Sequence, residues 1–234
     1  MTKASPFSIS IIIPVLNEEA YIEQALSSIG DDAGVECIVV DGGSDDQTCE
    51  IVRQWPNVRL IAAGTSSRAT QMNMGADHAQ GHVLLFLHAD CQLPANAVER
   101  VRNACAERNV VGGSFCLGFT RRHWVFQFYS WCSQINHPLM TYGDQAQFVC
   151  KDVFDRINGF QEWPLMEDLE IQYRLRRQGK LVKIQAPVIS SDRRYRRMGP
   201  VRHQVFNIVL VALFLMGVSP KRLAKWYKPT VPTG

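Results

Sequence analysis

The sequence lacks the glycine-rich loops by which many proteins bind nucleotides. Neither Gly-x-Gly-x-x-Gly nor Gly-x-x-x-x-Gly-Lys-Ser/Thr occurs among its 234 residues, which argues against a dinucleotide-binding loop and a Walker loop. A membrane-spanning segment is missing as well. The apolar run over residues 205–218 falls short of the roughly 20 residues that a helix needs to cross a bilayer.

The seven cysteines are scattered and odd in number, and no Cys-x-x-Cys pair occurs among them. This pattern argues against a disulfide framework and a zinc knuckle, and it favours reduced thiols in the cytosol. The first six residues lead straight into a β-branched segment, so we expect no signal peptide and a cytoplasmic protein.

Acidic residues are almost missing from the last quarter of the chain. Residues 174–234 carry 14 Lys and Arg against one acid, Asp192, whereas residues 1–173 carry 11 basic and 21 acidic residues. A segment this basic favours an anionic partner, such as phosphate groups, acidic lipid or nucleic acid. Because no nucleic-acid-binding motif is recognisable, we expect no nucleic-acid partner.

Strands and helices alternate along the first hundred residues. Runs of β-branched and aliphatic residues predict strands at 8–14, 35–40, 58–62 and 83–87, and we expect those at 35–40 and 83–87 to be buried. Helical spacing predicts helices between them, at 20–29, from about 44 to 54 and at 67–81. This order predicts an α/β fold of three layers, α/β/α, around a mostly parallel sheet.

The second half continues with mixed elements and then changes character. We expect helices at 99–107 and 166–179 and strands at 110–119, 143–149 and 181–189. The aromatic residues of 123–137 suit either the core or the wall of a substrate site. No linker or internal repeat divides the chain, so we expect one domain over residues 1–200 and a helical tail over 201–234.

Asp41 follows the second predicted strand, at the edge of the sheet where ligands of α/β proteins bind. It opens the run Asp-Gly-Gly-Ser-Asp-Asp. One interpretation is a simple turn, with Ser44 or Asp45 capping the next helix. The other is a carboxylate that accepts a hydrogen bond from a nucleobase.

Asp90 follows the fourth predicted strand, in the run His-Ala-Asp. It either caps a helix near Pro94 or ligates a divalent metal, which needs only one or two protein carboxylates when phosphate oxygens complete its shell. His88 is a softer ligand that favours manganese over magnesium, although a lone histidine is often structural.

Glu167 and Asp168 open a predicted helix. They are either an ordinary acidic first turn or the site of a general base, whose pKa would then have to be raised by desolvation. Arg68 and Asn73 lie on the helix before the central strand, where an arginine either meets a carboxylate or phosphate or is simply solvated.

The order of these segments resembles that of family 2 glycosyltransferases, most closely the bacterial radical-SAM/selenodomain-associated transferases. The resemblance covers roughly residues 8–180 and rests on Pro-Val-Leu-Asn-Glu-Glu from 14, Asp-Gly-Gly-Ser-Asp-Asp from 41, Arg68 with Asn73, His-Ala-Asp from 88, Gly-Asp-Gln from 143 and Glu-Asp from 167. It implies a GT-A fold, a nucleotide-diphosphate sugar donor and a divalent cation, Mn²⁺ or Mg²⁺.

The resemblance also implies roles for individual residues. Asp168, beside Glu167, would be the base of an inverting transfer, and His88 and Asp90 would hold the metal. The donor-binding residues would be Pro14, Leu16, Asn17, Glu18, Asp41, Ser44, Arg68, Asn73, Asp90, Asp144, Gln145, Arg193 and Arg194. We therefore expect the acids at 41, 90 and 168 to face one crevice.

The function implied is transfer of a hexose or related sugar to an acceptor hydroxyl on a glycan, a lipid-linked molecule or a small molecule. His88 stands where many relatives have an acid, so a non-catalytic nucleotide-sugar or partner-binding protein of the same fold is the alternative. A sugar nucleotidyltransferase is disfavoured, because no glycine-rich N-terminal loop with a following basic residue is present.

The tail combines the apolar run over 205–218 with a second helix that Ser219 and Pro220 would start. Basic residues alternate with Trp and Tyr over 221–228, which is typical of helices at a membrane interface. We expect contact with an anionic membrane on the inner face of the cell, and the alternatives are packing on the domain or on a second subunit.

Overall fold

The computed structural model describes residues 7–121, 123–193, 195 and 199–227. Its strands are β1 (Ile9–Val15), β2 (Val35–Asp41), β3 (Val58–Ala62), β4 (Val83–Phe86), β5 (Cys91–Gln92), β6 (Val110–Phe119), β7 (Gln147–Cys150) and β8 (Lys180–Ser190). Its helices are α1 (Ile22–Ser27), α2 (Thr48–Arg53), α3 (Arg68–His78), α4 (Ala97–Cys105), α5 (Trp124–Ser133), α6 (Lys151–Arg156), α7 (Glu167–Arg176), α8 (Pro200–Leu215) and α9 (Pro220–Trp226).

The strands form one sheet in the order β3-β2-β1-β4-β7-β6-β8-β5. β1 pairs in parallel with β2 and β4, β2 with β3, and β6 with β8. β7 is antiparallel to β4 and β6, and β5 is antiparallel to β8. The prediction of a mostly parallel sheet is confirmed, and the antiparallel pairings of β5 and β7 make the sheet mixed.

Helices cover both faces of the sheet, as the three-layer prediction requires. On one face, Ile11 and Ile13 of β1 pack in a buried cluster with α1 and α4. On the other face, Ile12 packs with α3, α6 and α7. Because β1 is covered from both sides, all of its residues are buried, which explains why the segment is apolar apart from Ser10.

Helix α3 lies close against β1 and holds the strand ends in place. A Cβ atom at position 75 would lie 2.4 Å from Ile12 Cγ2, so the approach requires Gly75. Gln71 on the same helix donates from Nε2 to the carbonyl oxygens of Val15 and Val40, at 2.8 Å each. The carboxyl ends of β1 and β2 are thereby joined to one helix.

The segment after Asp90 is a short strand and not the approach to a helix. Cys91 of β5 pairs with Ser190 of β8, and α4 begins only at Ala97, with Asn96 as its N-cap residue. The interpretation of Asp90 as a helix cap is therefore wrong. A two-residue strand has no periodicity by which the sequence could have indicated it.

Helices α8 and α9 pack on the rest of the chain through one side of each. Leu210 of α8 and Leu223 of α9 form a buried cluster with Met166 and Leu169 at the start of α7. Among the residues described, no helix is both long and apolar enough to cross a membrane. The packing alternative therefore accounts for this side of the two helices.

A largely buried lysine joins β8 to β6 and to the turn before β7. Lys183 Nζ donates to Ser114 Oγ at 2.6 Å, to Gln145 Oε1 at 2.7 Å and to Thr141 Oγ1 at 3.2 Å. Burial lowers the pKa of Lys183 from 10.5 to about 7, because the ammonium group loses its hydration inside the protein.

We expect Lys183→Met to flatten the dependence of unfolding free energy on pH between pH 7 and pH 10.5. In that interval the unfolded chain keeps a proton that the folded protein has lost from Lys183, so the wild-type stability rises with pH. Urea unfolding across this interval measures the difference. Lys180→Met, an exposed lysine on the same strand, is the control, and an unchanged pH dependence in Lys183→Met would contradict the assignment.

Candidate active site

The site is built on the edge of the sheet where β1, β2 and β4 end. Asp41 at the end of β2 lies opposite Val15 of β1. β4 ends at Phe86, and Leu87 still donates to Ile12 O at 3.0 Å before the chain continues to Asp90. Asp41 and Asp90 therefore lie at one edge of the sheet. The strands that carry them are not neighbours, because β1 runs between them.

The loops that follow β1 and β2 hold each other through side-chain hydrogen bonds. Asn17 N donates to Ser44 Oγ at 3.0 Å, and Asp45 N donates to Asn17 Oδ1 at 3.0 Å. Glu18 N donates to Thr48 Oγ1 at 2.8 Å. Asn17 has a positive φ of 55°, a conformation that asparagine tolerates better than most residues. These contacts give the predicted donor-binding loop a defined shape.

The Asp41 carboxylate organises its own turn. It accepts hydrogen bonds from Gly43 N at 3.1 Å and from the Ser44 hydroxyl at 2.6 Å. The next helix is capped by neither Ser44 nor Asp45. Asp46 Oδ1 accepts from Thr48 N at 2.9 Å and satisfies the first turn of α2. The turn at Asp41 is thus confirmed, the capping of α2 by Ser44 or Asp45 is wrong, and contact with a nucleobase stays a prediction.

Arg193 connects the loop after β1 with the loop after β4. Its Nε donates to Asp90 Oδ2 at 3.0 Å, and its Nη1 donates to Glu18 Oε2 at 2.6 Å. The guanidinium also lies over the ring of Tyr21, 4.9 Å from its centroid. A cation therefore lies between two carboxylates that were both predicted to belong to the site. Arg194, predicted beside it, lies outside the described residues.

His88, Asp90 and Cys91 form a cluster of potential metal ligands. Their ligand atoms lie within 4.8 Å of one another, and all three residues are buried. A nitrogen, an oxygen and a sulfur donor fit a first-row transition ion better than magnesium, which prefers oxygen. Sequence reasoning missed Cys91, although its position next to Asp90 was the available signal.

His88 and Asp168 come together across Gly143. The backbone N–H of Gly143 donates to Asp168 Oδ2 at 2.8 Å. A Cβ atom at position 143 would lie 2.7 Å from His88 Nε2 and 3.5 Å from Asp168 Oδ2. Glycine is therefore needed where these two side chains approach each other, and the run Gly-Asp-Gln gains a physical reason.

Glu167 and Asp168 open α7, as predicted. Met166 before them has a φ of 69°, which is costly for a residue with a side chain and marks a constrained backbone. Glu167 is buried, and its carboxylate lies 3.5 Å from the guanidinium of Arg68. Arg68 therefore meets a carboxylate, one of the two fates expected for it.

A cavity of about 630 Å³ lies beside these residues. Of the predicted site residues, it is lined by Arg68, His88, Asp144, Glu167 and Asp168. Tyr129, Tyr142 and residues of α8 and α9 complete much of its wall. Asp41, Glu18 and Asp90 lie outside this lining, so the expected single crevice is divided into a cavity and a loop region, in which Arg193 joins Glu18 to Asp90.

Two of the predicted donor-binding residues form hydrogen bonds with other parts of the protein. Asn73 exchanges two hydrogen bonds with the backbone of Phe160, at 2.9 and 2.8 Å. Gln145 is fully buried, and its amide donates to Met140 O at 2.9 Å and accepts from Lys183. The structure does not bring these two amides to the cavity, because both are satisfied by other partners.

The loop residues Pro14 and Leu16 differ from each other in position. Pro14 is buried within β1, opposite Val40, whereas Leu16 follows the strand and is half-buried. Pro14 therefore supports the loop from within the sheet.

Comparison with known proteins identifies the family and the fold. The profile of glycosyl transferase family 2 matches residues 10–161. The chain is 34% identical over 109 residues to glycosyltransferase AglE of Haloferax volcanii, which covers 43% of this chain and 36% of the relative. It is 33% identical over 113 residues to 4,4'-diaponeurosporenoate glycosyltransferase of Staphylococcus haemolyticus, with 45% and 30% covered. The chain thus spans about a third of the length of these relatives.

Solved structures share the fold. The mannosyltransferase PcManGT from Pyrobaculum calidifontis, in complex with GDP-Man and Mn²⁺, has a TM-score of 0.67 at 21% identity, with 92% of this chain and 66% of that chain covered. TarS 1-349 of S. aureus has a TM-score of 0.64 at 16% identity, with 92% and 68% covered. These neighbours confirm the GT-A fold.

The family profile includes β1, β2 and β4, whose carboxyl ends form the sheet edge of the site, and extends past Gly143. It covers well over half of the 234 residues. The chain belongs to glycosyltransferase family 2.

Proposed function

We propose that the protein transfers a sugar, a hexose or a close relative, from a nucleoside-diphosphate donor to an acceptor hydroxyl with inversion of configuration. The observation that carries the proposal is the position of Asp168, whose carboxylate lines the cavity and approaches His88 across Gly143. A base there can take the proton of an acceptor hydroxyl while its oxygen attacks the anomeric carbon.

The donor would extend from the cavity toward the loops after β1 and β2. Asn17, Glu18 and Asp41 would receive the nucleoside, and the hydrogen bonds that hold their two loops leave little ordering to be done on binding. Among the fold neighbours, PcManGT is in complex with GDP-Man and TarS with UDP-GlcNAc. These complexes support a nucleotide-sugar donor without indicating the sugar or the base.

His88 and Asp90 would hold a divalent ion, with Cys91 as a third ligand. The ion would offset the charge of the diphosphate when bound. Manganese suits this donor set better than magnesium, and the PcManGT complex contains Mn²⁺. Arg193, which already neutralises Asp90 and Glu18, would supply further positive charge on the same side.

Three narrower expectations belong to the same proposal. The runs His-Ala-Asp and Gly-Asp-Gln support membership of the radical-SAM/selenodomain-associated subgroup. Residues 1–200 would form the catalytic domain and residues 201–234 its helical tail. The reduced cysteines support a cytoplasmic location.

We expect Asp168→Asn to abolish sugar transfer while donor affinity stays within about twofold, because the amide keeps the shape of the side chain but cannot accept a proton. Donor hydrolysis and transfer, measured with manganese, report the chemistry, and calorimetry with the nucleoside diphosphate reports binding. Asp77→Asn, an exposed acid on α3, is the matched control.

Transfer by Asp168→Asn at a near wild-type rate would refute the base assignment. A wild-type protein that binds donors but never turns one over would favour the alternative, a non-catalytic nucleotide-sugar-binding protein of the same fold.

We expect Asp90→Ala to weaken the binding of a nucleoside diphosphate in the presence of manganese by at least about tenfold, since a hard carboxylate ligand is lost. Without metal, the variant should differ less from wild type, because only the contact between Asp90 and Arg193 is then lost. Calorimetry with and without manganese separates the two effects. Equal losses under both conditions would show that Asp90 acts through Arg193 alone.

A further inference from the structure

Helix α8 presents an apolar stripe that nothing in the described chain covers. Its exposed residues follow helical spacing, and Val201, Val205, Ile208 and Leu215 are between 48% and 59% exposed. The opposite side of α8 carries Leu210, which is buried against α7. The stripe is therefore additional to the packing that holds the helix in place.

Helix α5 lies beside α8 and presents a second stripe. Trp124, Phe128 and Trp131 are 66%, 59% and 60% exposed, and their spacing places them on one side of the helix. Phe126 on the other side is buried, 4.9 Å from the ring of Tyr195, which in turn contacts His203 of α8. The three exposed aromatic residues therefore belong neither to the core nor to the lining of the cavity, the two positions that the sequence suggested.

The charged residues that α8 and α9 carry have one sign. Arg202 on α8 and Lys221, Arg222 and Lys225 on α9 are exposed, and no acidic residue occurs over 199–227. Trp226 at the end of α9 is 59% exposed. Apolar stripes bordered by basic residues and tryptophan are typical of surfaces that lie in the interface of an anionic bilayer.

We propose that α5, α8 and α9 together form a docking surface for an anionic lipid bilayer. The apolar stripes would enter the interface between headgroups and acyl chains, and the lysines and arginines would meet lipid phosphates. A second copy of the chain is a poorer occupant, because it would bring one set of basic residues close to another. The 16 residues of α8 are too few to span the membrane, so the helix would lie on it.

The docking surface adjoins the site already described. Asn207 and Leu210 of α8 and Ala224 of α9 belong to the lining of the cavity. A bilayer on the outer side of these helices would therefore hold the cavity close to the membrane surface. The proposal goes beyond sugar transfer and does not depend on it, because docking is measured without a donor.

The test is flotation of the full chain with phosphatidylcholine vesicles, with and without about a third of phosphatidylglycerol. We expect binding to the anionic vesicles only. Binding should fall at least about tenfold in each of three variants: Val205→Glu/Ile208→Glu, Phe128→Glu/Trp131→Glu and Lys221→Glu/Lys225→Glu. Arg59→Glu/Arg100→Glu, on the exposed surface of β3 and α4, changes charge equally elsewhere and should bind as wild type.

Circular dichroism and sedimentation velocity accompany each variant, so that loss of folding or of self-association is recognised. The proposal is overturned if wild type does not float with anionic vesicles, or if the stripe variants float as well as wild type. It is also overturned if wild type is a dimer, the Val205→Glu/Ile208→Glu substitutions make it monomeric, and neither protein binds vesicles. Parallel losses in the charge variant and its control would show only general charge attraction.

Discussion

The site depends on one close contact, in which the backbone at Gly143 passes between His88 and Asp168. Each participant comes from a different part of the fold. His88 follows β4 and Asp168 opens α7. The turn at Gly143 is held by the hydrogen bond from Lys183 to Gln145. Because even a Cβ atom at position 143 would lie 2.7 Å from His88 Nε2, a small shift of any of these elements would move the base relative to the predicted metal ligand.

Charge balance is the second constraint. Asp90 is buried, Glu18 is largely so, and both share the guanidinium of Arg193. Buried carboxylates require a cation nearby, since their desolvation costs several kcal/mol each. A divalent ion at His88, Asp90 and Cys91 would meet the same requirement. Arg193 and such an ion could therefore neutralise Asp90 in turn or together. The same need for a cation explains why an arginine that follows β8 reaches the loops at the beginning of the chain.

The sequence predicted what local patterns determine. The mainly aliphatic segments of β1 to β4 and the helical spacing between them could be read directly, and they gave the layer order. The direction of β7 and the existence of β5 depend on pairings with distant strands, and no local pattern encodes them. The same holds for side chains. Asn73 and Gln145 carry the polar groups of a binding site, but partners at Phe160 and Lys183 occupy them, and only the fold brings those partners within reach.

The apolar run of the tail shows how one pattern can serve two surfaces. An apolar helix in a globular protein is usually buried all round, yet the buried residues of α8 are His203 and Leu210, and Leu210 meets Met166 and Leu169. Met166 is also the residue whose left-handed backbone starts α7 directly before Glu167 and Asp168. The packing of α8 and α9 therefore stabilises a strained turn at the proposed base. The outer side of these helices is part of the proposed docking surface, so that surface and the proposed catalytic site share one packed cluster.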